Sequence, residues 1–340
     1  MILNGTKSIG IVGGGVSALM LCMEAAKLGV TSTLLDPKVD CIGAQVATEH
    51  ILATINSENI EKLSLRVDVI IFNQKLDFPL ECKLHCKTYP SKNAMTEMSH
   101  PKGIFELLEV LEIPTSKVYY QDNKEMAFEK IEHLNLPFNF IKQIGSRSEL
   151  KYVATHEDMA DFILDMDENI DSFAIQLIPE YARNLISLVI VDENGKAQIY
   201  EPLEVNYEDK KVCSVEVAKN LTKTTMQKIS RFNRKLLKEL DGSGVYTIKY
   251  GIKSNKALEL IEITPEIDMA ALLTLEAYDF SIYEQYMRLI MDMPVIAPKL
   301  ESYAHGTIKE LEQVESKNRP YHMYNLGLTN LCITKQNIEE

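Results

Sequence analysis

At 340 residues the chain is too long for one compact core, which implies two or three domains. Its 46% hydrophobic and 25% charged residues are ordinary for a globular protein, and a formal net charge of −13 argues against a nucleic-acid or anionic-membrane partner. No apolar run approaches the roughly 18 residues that cross a bilayer, and the opening Met1-Ile2-Leu3-Asn4 lacks the order of a signal peptide, so a cytoplasmic protein is expected. The six cysteines are scattered and read as reduced thiols. Cys82-Lys83-Leu84-His85-Cys86 is the only cluster among them, and with no second ligand pair nearby it reads as ordinary packed or solvated side chains rather than a zinc site.

The apolar run Ser8-Ile9-Gly10-Ile11-Val12 reads as a strand that ends in Gly13-Gly14-Gly15. A helix is predicted over residues 17–28 with Gly29 at its C′ position, then a strand over 30–35 stopped by Asp36-Pro37. Strand, glycine turn, helix and strand in this order make a right-handed parallel βαβ unit. The alternation continues with strands over 51–53 and 67–72 and helices over 58–65 and 103–111. Pro114 then opens a region with strands near Val118 and over 138–141, helices over 126–134 and 157–164, and a strand over 173–177. Strands dominate the rest: 185–191 and 197–200 around the Asn194-Gly195 hairpin signal, and 244–252 and 257–263 around Ser254-Asn255. An amphipathic helix over 222–240, helices over 270–277 and 281–291, and a β-rich tail complete the chain.

Free amide groups and the helix dipole at the glycine turn favour an anion, typically a phosphate. Gly13-Gly14-Gly15-Val16-Ser17-Ala18 also fits the dinucleotide fingerprint G-x-G-x-x-A, with Asp36 placed for a ribose hydroxyl. Alone, this region would suggest a flavin- or nicotinamide-dependent oxidoreductase. Against that stand the Asp36-Pro37 step and the strand-rich second half without another glycine fingerprint. A turn that needs glycine only for close packing is the plainer alternative.

Several segments in order carry a resemblance: Ile9-Gly10-Ile11-Val12-Gly13-Gly14-Gly15, Ala26-Lys27-Leu28-Gly29-Val30, Leu34-Leu35-Asp36-Pro37, Ala44-Gln45-Val46-Ala47, Ile113-Pro114-Thr115, Glu262-Ile263-Thr264-Pro265 and Thr274-Leu275-Glu276-Ala277. Over about residues 7–295 the chain resembles the carboxyaminoimidazole ribonucleotide synthetases of purine synthesis, ATP-grasp ligases. The resemblance implies an α/β protein in three parts. These are an N-terminal parallel-sheet, Rossmann-like domain (1–97), a small lid domain (98–172) and a larger antiparallel domain with a β-rich tail (173–340). ATP and Mg2+ are the implied cofactors, small nucleotides the implied ligands, and a homodimer the expected assembly. In that chemistry ATP phosphorylates bicarbonate, and carboxyphosphate delivers carbon dioxide to the amine of aminoimidazole ribonucleotide.

Residue by residue, the resemblance assigns Lys142 to the ATP phosphates and Gln176, Leu177, Ile178 and Pro179 to the adenine hinge. Asn184 falls at the ribose position, where the family has glutamate. Gly14, Gly15 and Val16 fall at the substrate phosphate, and Glu262 at one magnesium carboxylate. The chain departs elsewhere. Lys249 stands where a second magnesium carboxylate is expected, Pro101 at an arginine, Tyr207 at a histidine, and the loop 145–151 keeps few glycines. Val16-Ser17-Ala18-Leu19 replaces Gln-Leu-Gly-Arg, Glu266-Ile267-Asp268-Met269-Ala270-Ala271-Leu272 replaces Arg-Pro-His-Asn-Ser-Gly-His, and Asn325-Leu326-Gly327-Leu328 stands at a basic segment. Three readings therefore stay open besides the oxidoreductase. The chain is an active ligase, a non-catalytic paralogue that binds or regulates, or a ligase moved to another substrate.

Overall fold

In a computed structural model, the structure describes residues 7–121, 129–131, 133–144, 147–155, 157–158, 172–208, 211–310, 322–327 and 329–337. Strands β1 (Ser8–Val12), β2 (Thr31–Asp36), β3 (Glu49–Leu52), β4 (Val69–Phe72) and β5 (Lys87–Tyr89) form a sheet in the order β3-β2-β1-β4-β5. Every neighbouring pair in it is parallel. Helix α1 (Val16–Lys27) crosses from β1 to β2. Gly29, at φ +68°, closes α1 as the sequence predicts, its amide donating to the Ala26 carbonyl at 3.1 Å. Helix α2 (Ser57–Ser64) starts on Asn56, whose side chain accepts from the Asn59 amide.

Helices α3 (Lys92–Ser99) and α4 (Pro101–Val110) lead out of this sheet. Only the second was expected; Ser91, which caps α3 by accepting from the Ala94 amide, was the available signal. Strands β6 (Val118–Gln121), β7 (Phe138–Ile144), β8 (Arg147–Val153) and β9 (Ser172–Leu177) then form an antiparallel sheet in the order β6-β9-β7-β8. Because β9 pairs here, the chain leaves this sheet after Leu177 and not at the expected 172/173 boundary. Of the helices expected over 126–134 and 157–164, most residues lie outside the described ones.

The third sheet has nine strands. They are β10 (Arg183–Val191), β11 (Ala197–Ile199), β12 (Leu203–Glu208), β13 (Lys211–Val217), β14 (Gly244–Ile252), β15 (Leu258–Thr264), β16 (Ser302–Glu310), β17 (His322–Asn325) and β18 (Thr329–Asn337). Its order is β15-β14-β10-β12-β13-β16-β18-β17, with β11 paired to β10. Gly195, at φ +74°, makes the β10–β11 turn that Asn194-Gly195 announced. The β12–β13 hairpin was not read in advance. Helix α5 (Lys223–Glu239) packs Ile229, Phe232, Leu236 and Leu237 inward. The helix expected over 270–277 divides into a tighter 3₁₀ turn, Met269–Leu273, and a short helix α6 (Thr274–Ala277). Helix α7 (Ile282–Ile290) follows, with Tyr283 and Tyr286 wholly buried against α1, β10 and β14.

One core joins α1 and the parallel sheet to α7 and one face of the nine-stranded sheet, and a second fills the other face beneath α3, α4 and α5. The four-stranded sheet has its own smaller core around Phe138, Phe140, Phe173 and Ile175. It is pinned to the large sheet where the Leu260 amide donates to the Pro114 carbonyl at 2.7 Å and Thr115 Oγ1 donates to the Leu260 carbonyl at 2.8 Å. No helix among the described residues is long and apolar enough to cross a membrane.

Candidate functional site

At the glycine turn, Gly13 adopts φ +98°, where side chains are strained, and a Cβ on Gly14 would lie 2.6 Å from Cys41 Sγ. The Gly14 amide donates to Asp36 Oδ2 at 2.7 Å, and the other Asp36 oxygen accepts from the Lys38 amide at 2.8 Å. Asp36 therefore fills the anion position at Gly14. This corrects two expectations: Asp36 does not reach toward a ribose, and Gly14 does not offer its amide to a phosphate. Gly15 is exposed at the start of α1 with Val16 beside it. Ser17 Oγ donates to the Ile267 carbonyl at 2.6 Å, which seats the α1 N-terminus against the segment that carries Asp268.

A cavity of about 190 Å³ lies between the four-stranded and nine-stranded sheets. Asn139 and Ile141 of β7, Gln176 of β9 and the run Leu260 to Ile263 of β15 line it, with Phe105 of α4 and Lys75 after β4. Gln176 and Glu262, expected together, do meet here. Strand alternation removes Lys142: its neighbour Ile141 faces the cavity, while Lys142 shares the face of Phe138 and Phe140 and stands opposite Glu149 and Phe173. Gln176 is a fixed wall, donating to Ser116 Oγ at 3.1 Å and accepting from Asn139 Nδ2 at 3.0 Å. The hinge amides are engaged too, Leu177 donating to the Lys117 carbonyl at 2.9 Å and Ile178 to that of Pro137 at 3.4 Å. Leu177, Ile178, Pro179 and Asn184 do not line this cavity. Lys75 does, and it was missed; its place just beyond the carboxyl end of a parallel strand, where open α/β sheets hold ligands, was the signal.

Beside the cavity lies a charged cluster. Lys249 of β14 pairs directly with Glu262 of β15, and the register slips immediately after, so that Ile261 has no partner. That bulge lets Leu260, Ile261, Glu262 and Ile263 all reach the cavity wall, where strict alternation would have shown only one side. Lys249 Nζ lies 3.3 Å from Glu262 Oε2 and 3.6 Å from Asp268 Oδ2. Burial alone would lower the Lys249 pKa, but the two carboxylates outweigh it and hold the ammonium well above the usual lysine range. Burial, with Asp268 beside it, pushes the Glu266 carboxyl up. The half-exposed Tyr207 faces the same group; burial raises its hydroxyl while Lys249 opposes that rise.

These residues do not fit a magnesium ion. Magnesium asks for oxygens at about 2.0–2.1 Å in octahedral array, and here an ammonium already spans both carboxylates. Among the described residues no group of three or more His, Cys, Asp and Glu is placed to hold a metal. Glu262, expected as a metal ligand, is an ion-pair partner of Lys249 instead. At Cys82 and Cys86, burial pushes both thiols up, Cys86 to about 11. Gly145 and Ser146 of the loop 145–151 lie outside the described residues. Pro101 opens α4, and Asn325 ends β17.

Residues 6–80 match the ribonucleotide synthetase preATP-grasp domain and residues 106–283 the ATP-grasp domain. Among curated proteins, the N5-carboxyaminoimidazole ribonucleotide synthase of a Staphylococcus aureus strain is 24% identical over 292 residues, covering 82% of this chain and 75% of that one. The synthase of that name from Brucella melitensis is 23% identical over 317 residues, covering 85% and 81%. Among solved structures, the N5-carboxyaminoimidazole synthetase of Staphylococcus aureus complexed with ADP aligns at a TM-score of 0.81 and 18% identity, over 99% of this chain and 96% of that one. The Aspergillus clavatus synthase in complex with ADP and 5-aminoimidazole ribonucleotide aligns at 0.78 and 16%, over 97% and 94%. At these identities the structures establish a shared fold.

Proposed function

The chain belongs to the ATP-grasp family, and from that premise we propose that it binds ATP between its four-stranded and nine-stranded sheets and acts as an ATP-dependent carboxyaminoimidazole ribonucleotide synthetase. The γ-phosphoryl group passes from ATP to a bicarbonate oxygen and ADP leaves. The carboxyl group of carboxyphosphate then goes to the amine of aminoimidazole ribonucleotide, and phosphate is released. The observation that carries this reading is the cavity itself, whose walls come from both antiparallel sheets, from α3 and α4, and from Lys75 just after β4. At about 190 Å³ it is smaller than the roughly 300–1,000 Å³ of a typical ligand site, so a bound nucleotide would extend beyond it. Gly15 and Val16 offer the remaining amides for the ribonucleotide phosphate, and a homodimer is the proposed assembly.

Steady-state release of ADP is the test. The reading expects ADP only when ATP, bicarbonate and aminoimidazole ribonucleotide are all present. Asp36 on Gly14 and Lys249 between two carboxylates favour a second reading, a non-catalytic binding or regulatory subunit of the same fold. Nucleotide binding without ADP release overturns the ligase and supports that subunit. ADP release that needs bicarbonate but not the ribonucleotide means that carboxyphosphate forms and is lost to water, and overturns only the coupling to that amine.

A further inference from the structure

Resting on the nucleotide-binding reading above, we propose that Lys249 is a tethered cation standing in for a divalent ion, so that this cleft holds a nucleotide without magnesium. Two different segments aim carboxylates at one ammonium, Glu262 from β15 and Asp268 from the turn that follows it. Neither is loosely placed. Glu262 is the direct cross-strand partner of Lys249 in the sheet register. Asp268 Oδ1 accepts from the Ala270 amide at 3.0 Å and caps the Met269–Leu273 turn, which leaves Oδ2 to face Lys249. The turn is fixed from below by Thr247, on the same strand as Lys249. Its hydroxyl donates to the Glu266 carbonyl at 2.6 Å and accepts from the Asp268 amide at 3.3 Å.

A divalent ion shared by these two carboxylates would have to come within about 2.1 Å of both oxygens. The Lys249 ammonium already lies against both oxygens, at 3.3 and 3.6 Å. The ion would therefore have to evict Lys249 against like charge. A lysine at this point offsets carboxylate charge beside the cavity that Glu262 lines, as a bound cation would. It cannot exchange, cannot be chelated, and needs no metal in the medium. A salt bridge that served stability alone would leave nucleotide affinity indifferent to its removal, and this separates the two roles.

The experiment is calorimetric titration of the full chain with ADP, once in EDTA and once in excess magnesium, with Mn2+ alone as a separate probe. The proposal expects ADP affinities within about threefold of each other and no Mn2+ binding at millimolar concentration. Lys249→Met, checked for folding by circular dichroism, should weaken ADP in EDTA by about fivefold or more. Lys249→Glu should bind Mn2+ and make ADP affinity rise about tenfold on adding magnesium. If Lys249→Glu does not fold, the Lys249→Met and parent titrations decide. Magnesium strengthening ADP binding to the parent about tenfold, or unchanged ADP affinity in Lys249→Met, overturns the tethered cation and leaves nucleotide binding standing. Absence of ADP binding in every condition overturns both.

Discussion

The buried carboxylate of Glu276 offers a quantitative test of how the C-terminal strands are fastened. Its side chain is 6% exposed on α6, accepts from the Tyr324 hydroxyl at 2.7 Å, and lies 2.5 Å from Lys335 Nζ and 3.1 Å from His322 Nε2. Glu276→Gln keeps the shape and removes the charge, setting an amide against the Lys335 donor. Had all partners been buried, the cost would be about 3–5 kcal/mol. Lys335 and His322 are 32% and 46% exposed, however, and can turn to water. The loss reduces to that of hydrogen bonds to a charged group, about 1.5–3 kcal/mol. The chain has no tryptophan, so urea unfolding is best followed by far-ultraviolet circular dichroism. A double-mutant cycle with Lys335→Met should return a coupling of about 1 kcal/mol. A Glu276→Gln midpoint within about 0.5 kcal/mol of the parent would refute the reasoning, because surface substitutions alone produce that much.

Two further outcomes follow from single contacts. Asn233 joins two buried hydroxyls, donating to Ser187 Oγ at 2.8 Å and accepting from Tyr250 at 2.6 Å. Asn233→Leu strands both, at about 1–3 kcal/mol each, and a loss under about 1 kcal/mol in the same urea assay would contradict the network. Ile141 faces the cavity and Lys142 does not, so Ile141→Lys should tighten ADP binding by about fivefold in calorimetry. Unchanged affinity would argue against phosphates lying at that wall.

Four strands of the parallel sheet were legible because their signals are local: apolar β-branched runs, glycine at the turn, and glycine closing α1; the three-residue β5 was not read. The β12–β13 hairpin escaped although Leu203 and Val205 alternate with Glu204 and Asn206 as in a half-buried strand, because no Gly, Asn or Pro turn signal joins its two strands. The site was half legible. Gln176 and Glu262 line one cavity, each on a strand that its apolar run made readable. Lys142 was misjudged by one residue of strand phase, which reverses a side chain's face. The partnership of Lys249 with Asp268 was out of reach, because it depends on a bulge and on a turn held by Thr247, neither of which has a sequence signature.

Whether a nucleotide occupies the space between the two antiparallel sheets is the question on which the account turns, and hydrogen exchange read by mass spectrometry addresses it directly. Saturating ADP should slow exchange in peptides that contain Asn139 to Ile141, Gln176, and Leu260 to Ile263, the walls of that cavity. Unchanged exchange in those peptides, with ADP bound by an independent measure, would contradict it.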